Sequence, residues 1–363
     1  MRDLRIAVIP GDGIGREVVP AAVDLLRAVT DRGGHARLVL DELPWGCDFY
    51  LREGQMMPED GLAALRACDA IFLGAVGDPA RVPDHVSLWG LLIAIRRGLG
   101  QALNIRPARY LEGMPSPLRD PGGFDLVVVR ENSEGEYSQI GGAIGEGPAE
   151  QALQVSVFSR VAVERAARFA CRLAAGRRGR LTSATKSNGI FHTMPFWDRV
   201  VREVAAGFPG VALESVHLDA LLARLVRAPR SLDVIVASNL FGDLLTDLAG
   251  ALMGSIGLAP AANINPDGTA PSMFEPVHGS APDIAGRGIA NPLGQVWTGV
   301  LMLEHLGLQA EADRLFAAIR DVIRAGEVTP DMGGNLSTAE VADRVRARLA
   351  ARAVTKRPRR RTG

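Results

Sequence analysis

The sequence predicts an α/β protein built in two lobes, and three observations point to it. Short apolar runs at residues 4–9, 70–73, 124–129 and 233–237 end at glycine, polar or charged residues, and several lead straight into helix-periodic stretches. That alternation is the pattern of a sheet flanked by helices. The length of 363 residues with 47% hydrophobic content is more than one core usually serves, so two lobes are expected. The strand ends at 10–15 and 74–77 are rich in glycine and are expected to face one cleft, where open α/β sheets keep their ligands.

Taken in order, residues 4–9 read as a strand, followed by Pro10-Gly11-Asp12-Gly13-Ile14-Gly15 and a helix over 17–29. The glycines invite a Rossmann assignment, and their spacing argues against it. The dinucleotide fingerprint needs its third glycine three residues after its second, and Gly15 is only two after Gly13. Residues 70–77 form another buried strand ending in glycines. A helix over 91–99 carries Arg96 and Arg97. Asn104-Ile105-Arg106-Pro107 reads as extended, because a residue before proline avoids the helical region. Residues 124–129 form a strand ending at Arg130. The glycine-rich, acidic stretch 131–147 and the β-prone 152–158 read as an exposed hairpin-like arm of the kind that meets a partner subunit. Helices over 161–175 and 197–206 flank a strand at 181–185, and a strand at 211–216 runs into His217-Leu218-Asp219 at the start of another helix. Residues 261–276, rich in Asn, Pro and Gly, read as loop. A long apolar helix is expected over 293–306, with helical, surface-like sequence after it.

Four groups of residues carry chemistry. In Ser238-Asn239-Leu240-Phe241-Gly242-Asp243-Leu244-Leu245-Thr246-Asp247, with a helix expected over 244–252, the two aspartates are four apart and share a helix face. Such a pair is either a solvated outer face or a seat for a hard divalent cation, whose preferred ligands are carboxylate oxygens. Only two of the 41 basic residues are lysines, Lys186 and Lys356. Lysine can be tuned to lose its proton and arginine cannot, so the internal Lys186 is a candidate for acid–base work. Arg96, Arg106 and Arg130 each stand at the end of an element. Together they would suit a small polyanion, since each guanidinium can fork onto a carboxylate. Small residues around His278 and Asp283 allow close approach of a flat ligand.

These motifs identify a resemblance running from Pro10 to about residue 306. The chain resembles the β-decarboxylating dehydrogenases, the isocitrate and 3-isopropylmalate dehydrogenase family, on Asn239-Leu240-Phe241-Gly242-Asp243-Leu244-Leu245-Thr246-Asp247 and His278-Gly279-Ser280-Ala281-Pro282-Asp283. Within it, Pro83-Asp84-His85-Val86-Ser87-Leu88-Trp89-Gly90, Arg130-Glu131-Asn132-Ser133-Glu134-Gly135-Glu136-Tyr137 and Leu181-Thr182-Ser183-Ala184-Thr185-Lys186-Ser187-Asn188-Gly189 resemble the tartrate and D-malate dehydrogenase branch. One departure is Glu214-Ser215-Val216, where the family commonly carries a lysine just before the histidine matching His217.

The resemblance implies an isopropylmalate-dehydrogenase-like two-lobed fold, not Rossmann. One lobe would comprise 1–101 plus 258–350 and bind the cofactor. The other, 102–257, would carry the dimerisation, metal and substrate residues and an arm at about 138–158 that clasps a second copy. It implies a homodimer with shared active sites. Mg²⁺ or Mn²⁺ would be held by Asp243 and Asp247 of one chain and Asp219 of its partner. The resemblance further implies a substrate clamp of Arg96, Arg106 and Arg130, and an acid–base pair of Lys186 and Tyr137. An NAD site would be formed by His278, Gly279, Ser280, Ala281, Pro282, Asp283 and Asn291. An acid at Asp283 favours NAD, because it bonds ribose hydroxyls and repels a 2′-phosphate. The implied reaction is oxidative decarboxylation of a small (R)-2-hydroxy diacid, D-malate or tartrate, with 3-isopropylmalate as the rival substrate. A catalytically silent subunit would lack Lys186, Tyr137 or an aspartate, and all are present.

The bulk numbers fit. A net charge of zero provides no global field for nucleic acid or membrane, and the basic segment 351–363 reads as a solvated tail. The apolar runs are too short to span a bilayer. No signal peptide is read before the first strand, and Cys47, Cys68 and Cys171 lack metal spacing, so a reducing cytoplasm is expected.

Overall fold

The apolar runs become strands and the amphipathic stretches become helices. The computed structural model describes residues 2–354. Strand β1 (Arg2–Gly11) passes through the glycine turn into α1 (Gly15–Gly33), which returns to β2 (Ala36–Glu42). Short helices α2 (Cys47–Glu53) and α3 (Gly61–Arg66) precede β3 (Ala70–Ala75). Helix α4 (Asp84–Ser87) continues through a π-helical turn, Leu88–Leu92, into α5 (Ile93–Gly98). Strands β4 (Leu103–Arg109) and β5 (Asp125–Glu131) follow, then a separate hairpin of β6 (Gly141–Ile144) and β7 (Gln151–Gln154). Next come α6 (Arg160–Ala175), β8 (Arg180–Thr185), α7 (Thr193–Ala205), β9 (Ala212–His217), α8 (Leu218–Arg227), β10 (Val234–Ala237) and α9 (Asn239–Met253). The chain closes with β11 (Pro260–Ile264), β12 (Ser272–Pro276), α10 (Leu293–His305), α11 (Gln309–Arg324) and α12 (Thr338–Val354).

Ten strands form one sheet in the order β2-β1-β3-β12-β11-β4-β5-β10-β8-β9. Its flanks are parallel, whereas β12-β11, β11-β4 and β4-β5 are antiparallel. Neither the order nor the mixed direction is that of a Rossmann sheet. The first five strands in that order come from the two chain ends and the last five from the middle of the chain. The two sets meet at β11-β4, where Asn263 stands opposite Asn104. The faces of this seam differ. Ile105 and Phe274 point to the apolar core, while Asn104, Arg106, Asn263 and Glu275 occupy the other face, as strand alternation requires.

Four expectations are corrected. Residues 261–276 are not loop, because β11 and β12 are fully buried strands and only the turn between them is irregular. Asn265 holds that turn, accepting from the Asp267 and Thr269 amides at 3.2 Å each. Helix α9 begins at Asn239, five residues before the expected start at 244, so Asp243 lies inside it. The sequence after 306 is helical but not merely surface, since α11 buries Leu315, Ile319, Val322 and Ile323. Helix α12 runs four residues into the segment read as tail, and the rest of that segment, 355–363, lies outside the described residues.

The arm is exposed throughout 139–155, yet carries Ile140, Ile144, Leu153 and Val155, each about half exposed. Among the described residues no helix is long and apolar enough to cross a membrane.

Candidate active site

The site forms where β4, β5 and α9 meet. Gly242 lets α9 lie directly on β5, because a Cβ there would stand 2.6 Å from Cβ and Cγ of Arg130. The helix thereby brings Asp243 against two of the three arginines. Arg130 donates through Nη1 to Asp243 Oδ1, and its Nε and Nη2 donate to Asn239 Oδ1 at 3.0 and 2.8 Å. Arg106 Nη1 lies 3.5 Å from carboxylate oxygens of both Asp243 and Asp247 and donates to Thr246 Oγ1 at 2.7 Å. The Arg106 Nε donates to Asn104 Oδ1 at 2.6 Å. Arg96 joins from α5, donating through Nη2 to Glu275, and its Nε is buried without a partner.

Burial and crowding raise the cost of charge at Arg106 and Arg130. Burial and then the Arg106 charge bring the Arg130 guanidinium down to about 10. Burial lowers Arg106 too, against the pull of Asp243. The like-charge penalty between the aspartates is also visible, since partial burial and then Asp243 push the Asp247 carboxyl up. Arg130 is paired with Asp243 and Arg96 with Glu275, so a ligand bringing carboxylates and a cation would exchange these pairs for its own charges.

Tyr137 stands on the loop after β5 and donates to Asp243 Oδ2 at 3.1 Å, with the Arg130 guanidinium 5.8 Å from its ring centre. Burial, then the Asp243 charge, raise its phenol above the ordinary value. The loop is held by acids the sequence reading passed over. Glu136 accepts from Ser238 Oγ at 2.6 Å and from the Leu240 amide at 3.1 Å, sitting at the positive N-terminus of α9. Asn239 Nδ2 donates to the Glu134 carbonyl at 2.9 Å. The loop bearing Tyr137 and the helix bearing Asp243 are therefore fastened together.

Lys186 and Asp219 form a second group. The ammonium follows β8, the carboxylate sits in the first turn of α8, and they pair at 3.0 Å. That bond holds the Asp219 carboxyl below its usual range. Among the described residues, no three His, Cys, Asp or Glu side chains of one chain gather to hold a metal ion. Asp243 and Asp247 are two carboxylates one turn apart on α9. Glu214, at the departure from the family pattern, accepts from Thr182 Oγ1 at 2.9 Å and Arg224 at 2.6 Å and ties α8 to the sheet.

The third group borders a cleft of about 340 Å³ bounded by Gly13, Arg16, Gly77, Arg81, Pro282 and Gly286, with Pro282 the one member of the group in its lining. Ser280 accepts from the Ile14 amide at 2.8 Å, and a Cβ on Gly13 would fall 2.0 Å from that carbonyl, so the two loops pack backbone to backbone. Gly279 takes the His278 Nδ1 contact on its carbonyl at 3.0 Å. The buried His278 Nε2 has no partner, an orphan a ligand would satisfy. Ala281 holds a positive φ of 42°, which turns the chain so that Pro282 and Asp283 are exposed at the rim. Asn291 is less open, since its amide donates to Asp331 at 2.9 Å and accepts from the Leu293 amide at 2.9 Å. Two acids missed in the sequence build this cleft. Asp12 accepts from the Cys47 and Gly77 amides at 2.8 and 2.9 Å, and Glu17 accepts from the Gly286 and Gly288 amides at 2.6 and 2.9 Å. Their only signal was acidity inside and just after a glycine turn.

Known proteins resemble this chain in sequence and fold. The isocitrate/isopropylmalate dehydrogenase family pattern matches residues 5–345. A probable tartrate dehydrogenase/decarboxylase of Bacillus subtilis (strain 168) is 55% identical over 349 residues, covering 96% of this chain and 99% of the relative. The D-malate dehydrogenase (decarboxylating) of Escherichia coli (strain K12) is 50% identical over 355 residues, covering 95% and 98%. The crystal structure of isocitrate dehydrogenase from Methylococcus capsulatus superposes with a TM-score of 0.85 at 34% identity, covering 96% and 99%. With its fold and nearly its whole length matched, the chain belongs to the isocitrate/isopropylmalate dehydrogenase family.

Proposed function

We propose that this enzyme oxidises a small (R)-2-hydroxy diacid with NAD and releases one carboxyl as carbon dioxide, with D-malate giving pyruvate as the foremost reaction and tartrate as a second substrate. The names of the relatives support it. The observation that carries it is the convergence of Arg106, Arg130 and Tyr137 on the two aspartates of α9, with Arg96 linked alongside.

Arg96, Arg106 and Arg130 would grip the substrate carboxylates by charge-assisted bonds. Lys186, once deprotonated and released from Asp219, would accept the hydroxyl proton, NAD when bound would supply the oxidising power, and Tyr137 would deliver a proton to the carbon that has lost carbon dioxide. Mg²⁺ or Mn²⁺ held by Asp243, Asp247 and the Asp219 carboxylate of a second copy would polarise the substrate oxygen through both stages. The donor set fits such a hard cation, being carboxylate oxygen alone. NAD would lie along the cleft between Gly13 and Pro282, with the exposed Asp283 at its rim available to a ribose and the unpartnered His278 Nε2 nearby in sequence.

A homodimer follows from the same reading. Among the described residues of one chain no third carboxylate, histidine or cysteine joins the aspartates of α9, and Lys186 is bonded to Asp219, so both would cross to the neighbouring site together. The apolar side chains exposed on β6 and β7, Ile144 and Leu153, would provide the clasp. The two lobes are taken to be the two halves of the sheet. For 3-isopropylmalate an apolar pocket near Leu91 and Leu92 would be needed; Leu91 is completely buried and Leu92 partly so, and the substrate panel separates the two readings.

A panel of D-malate, L-tartrate, meso-tartrate and 3-isopropylmalate, each with NAD or NADP and with Mn²⁺ or EDTA, tests the reading. Turnover of D-malate or a tartrate with NAD and Mn²⁺ is expected. Turnover of 3-isopropylmalate alone, or full activity in EDTA, would refute it.

A further inference from the structure

We propose that Asn263 is a positioning residue that fastens Arg96 and Arg106 into one unit across the seam of the sheet, an inference that rests on the substrate-clamp reading above. Asn263 is completely buried on β11, opposite Asn104 of β4. Its Nδ2 donates to Glu275 Oε1 at 2.7 Å, the same oxygen that accepts from Arg96. Its Oδ1 accepts from Asn104 Nδ2 at 2.9 Å and from Asn132 Nδ2 at 3.2 Å. Asn104 in turn accepts from Arg106 Nε. An unbroken relay therefore joins Arg96, Glu275, Asn263, Asn104 and Arg106.

The polarity of that relay dictates the residue type. A guanidinium can only donate, and an ionised carboxylate can only accept. The two groups between Glu275 and Arg106 must each present a donor toward the acid and an acceptor toward the arginine. Primary amides do both at separate atoms. The substitution Asn263→Asp would set a second acceptor against Glu275, and an apolar residue would leave Glu275, Asn104 and Asn132 each short of a buried bond. Arg96 and Arg106 lie on different elements, α5 and β4, and both have long side chains. The spacing of their guanidinium groups is consequently set by what holds them, and Asn263 is the link between the two holders.

Steady-state kinetics of N263L and N104A, with the double variant, decide the matter, with D-malate and NAD as substrates of the wild-type enzyme for reference. N263L is expected to raise KM for D-malate roughly 10- to 100-fold, the range for sub-ångström to ångström misplacement of binding groups. The KM for NAD should move less than about twofold and kcat less than the KM for D-malate, since binding rather than the proton steps is loosened. N104A should show the same pattern, and the double variant should be no worse than the poorer single variant, because one relay broken twice is still one break. If N263L does not fold, N263S takes its place in the cycle. An unchanged KM for D-malate in the variant, or losses that multiply in the double variant, overturns the inference alone. A wild-type enzyme inactive on every diacid of the panel overturns the functional reading and this inference with it.

Discussion

Replacing Gly242 with alanine separates stability from activity. In the middle of a helix, alanine is favoured over glycine by about 1 kcal/mol. The added methyl, however, would lie 2.6 Å from Cβ and Cγ of Arg130 and 3.2 Å from its Cα. Ordinary carbon contacts begin near 3.5 Å, so Arg130 and α9 must part by roughly 0.9 Å. The atoms met are the root of the arginine side chain, which cannot swing aside as its tip could. Overpacking of this kind costs about 1–3 kcal/mol, so with the helix gain the net destabilisation should stay within about 2 kcal/mol. The functional loss should be larger. Arg130 carries the bonds to Asp243 and Asn239, and a displacement near 1 Å costs on the order of 100-fold in rate, or about 2.7 kcal/mol of barrier. Thermal melting and NADH formation from D-malate, followed at 340 nm, measure the two effects. A G242A enzyme with wild-type kcat/KM would refute the claim that close contact between α9 and β5 sets the site.

Three further perturbations follow from the same geometry. Lys186→Arg should keep the ion pair with Asp219 and bind substrate normally while losing roughly 100-fold or more in kcat, as removal of a general base does; near-wild-type turnover would end the base assignment. Ile144→Asp with Leu153→Asp charges two half-exposed arm positions, and light scattering should find single-chain mass and little activity, whereas an active monomer would contradict shared sites. Asp233 is fully buried, and although burial alone would raise its carboxyl, the Arg177 guanidinium at 2.8 Å and backbone amides hold it below the usual range. A depressed carboxyl stabilises the fold above about pH 4, the unfolded value, and that contribution is lost as pH falls through the folded value. Asp233→Asn should therefore lower the urea midpoint by an amount worth about 3 kcal/mol at pH 7 and flatten the acid limb of wild-type stability below pH 4; an unchanged acid limb would remove Asp233 from that account.

Much of this protein is legible in its sequence because its signals are local. Strand and helix periodicity mark β1, β3, β5, β10, α6 and α10, and the short spacing of Gly13 and Gly15 already argues against a Rossmann turn. The pair Asp243 and Asp247 and the rarity of lysine single out groups worth watching without any fold. What the chain could not reveal locally is pairing at a distance. The segment 261–276 looks like loop because its asparagines, prolines and glycines disfavour isolated strands, yet it lies at the centre of the sheet, where neighbours on both sides supply its hydrogen bonds. Asn263 and Glu275 consequently had no visible role until β11 met β4. Glu136, likewise, is one acid among several in a polar stretch until the N-terminus of α9 comes to rest on it. Residue type and spacing determine which groups can bind or titrate; only tertiary packing decides which of them share a low-dielectric space, and there a carboxylate or guanidinium acquires its partner and its task.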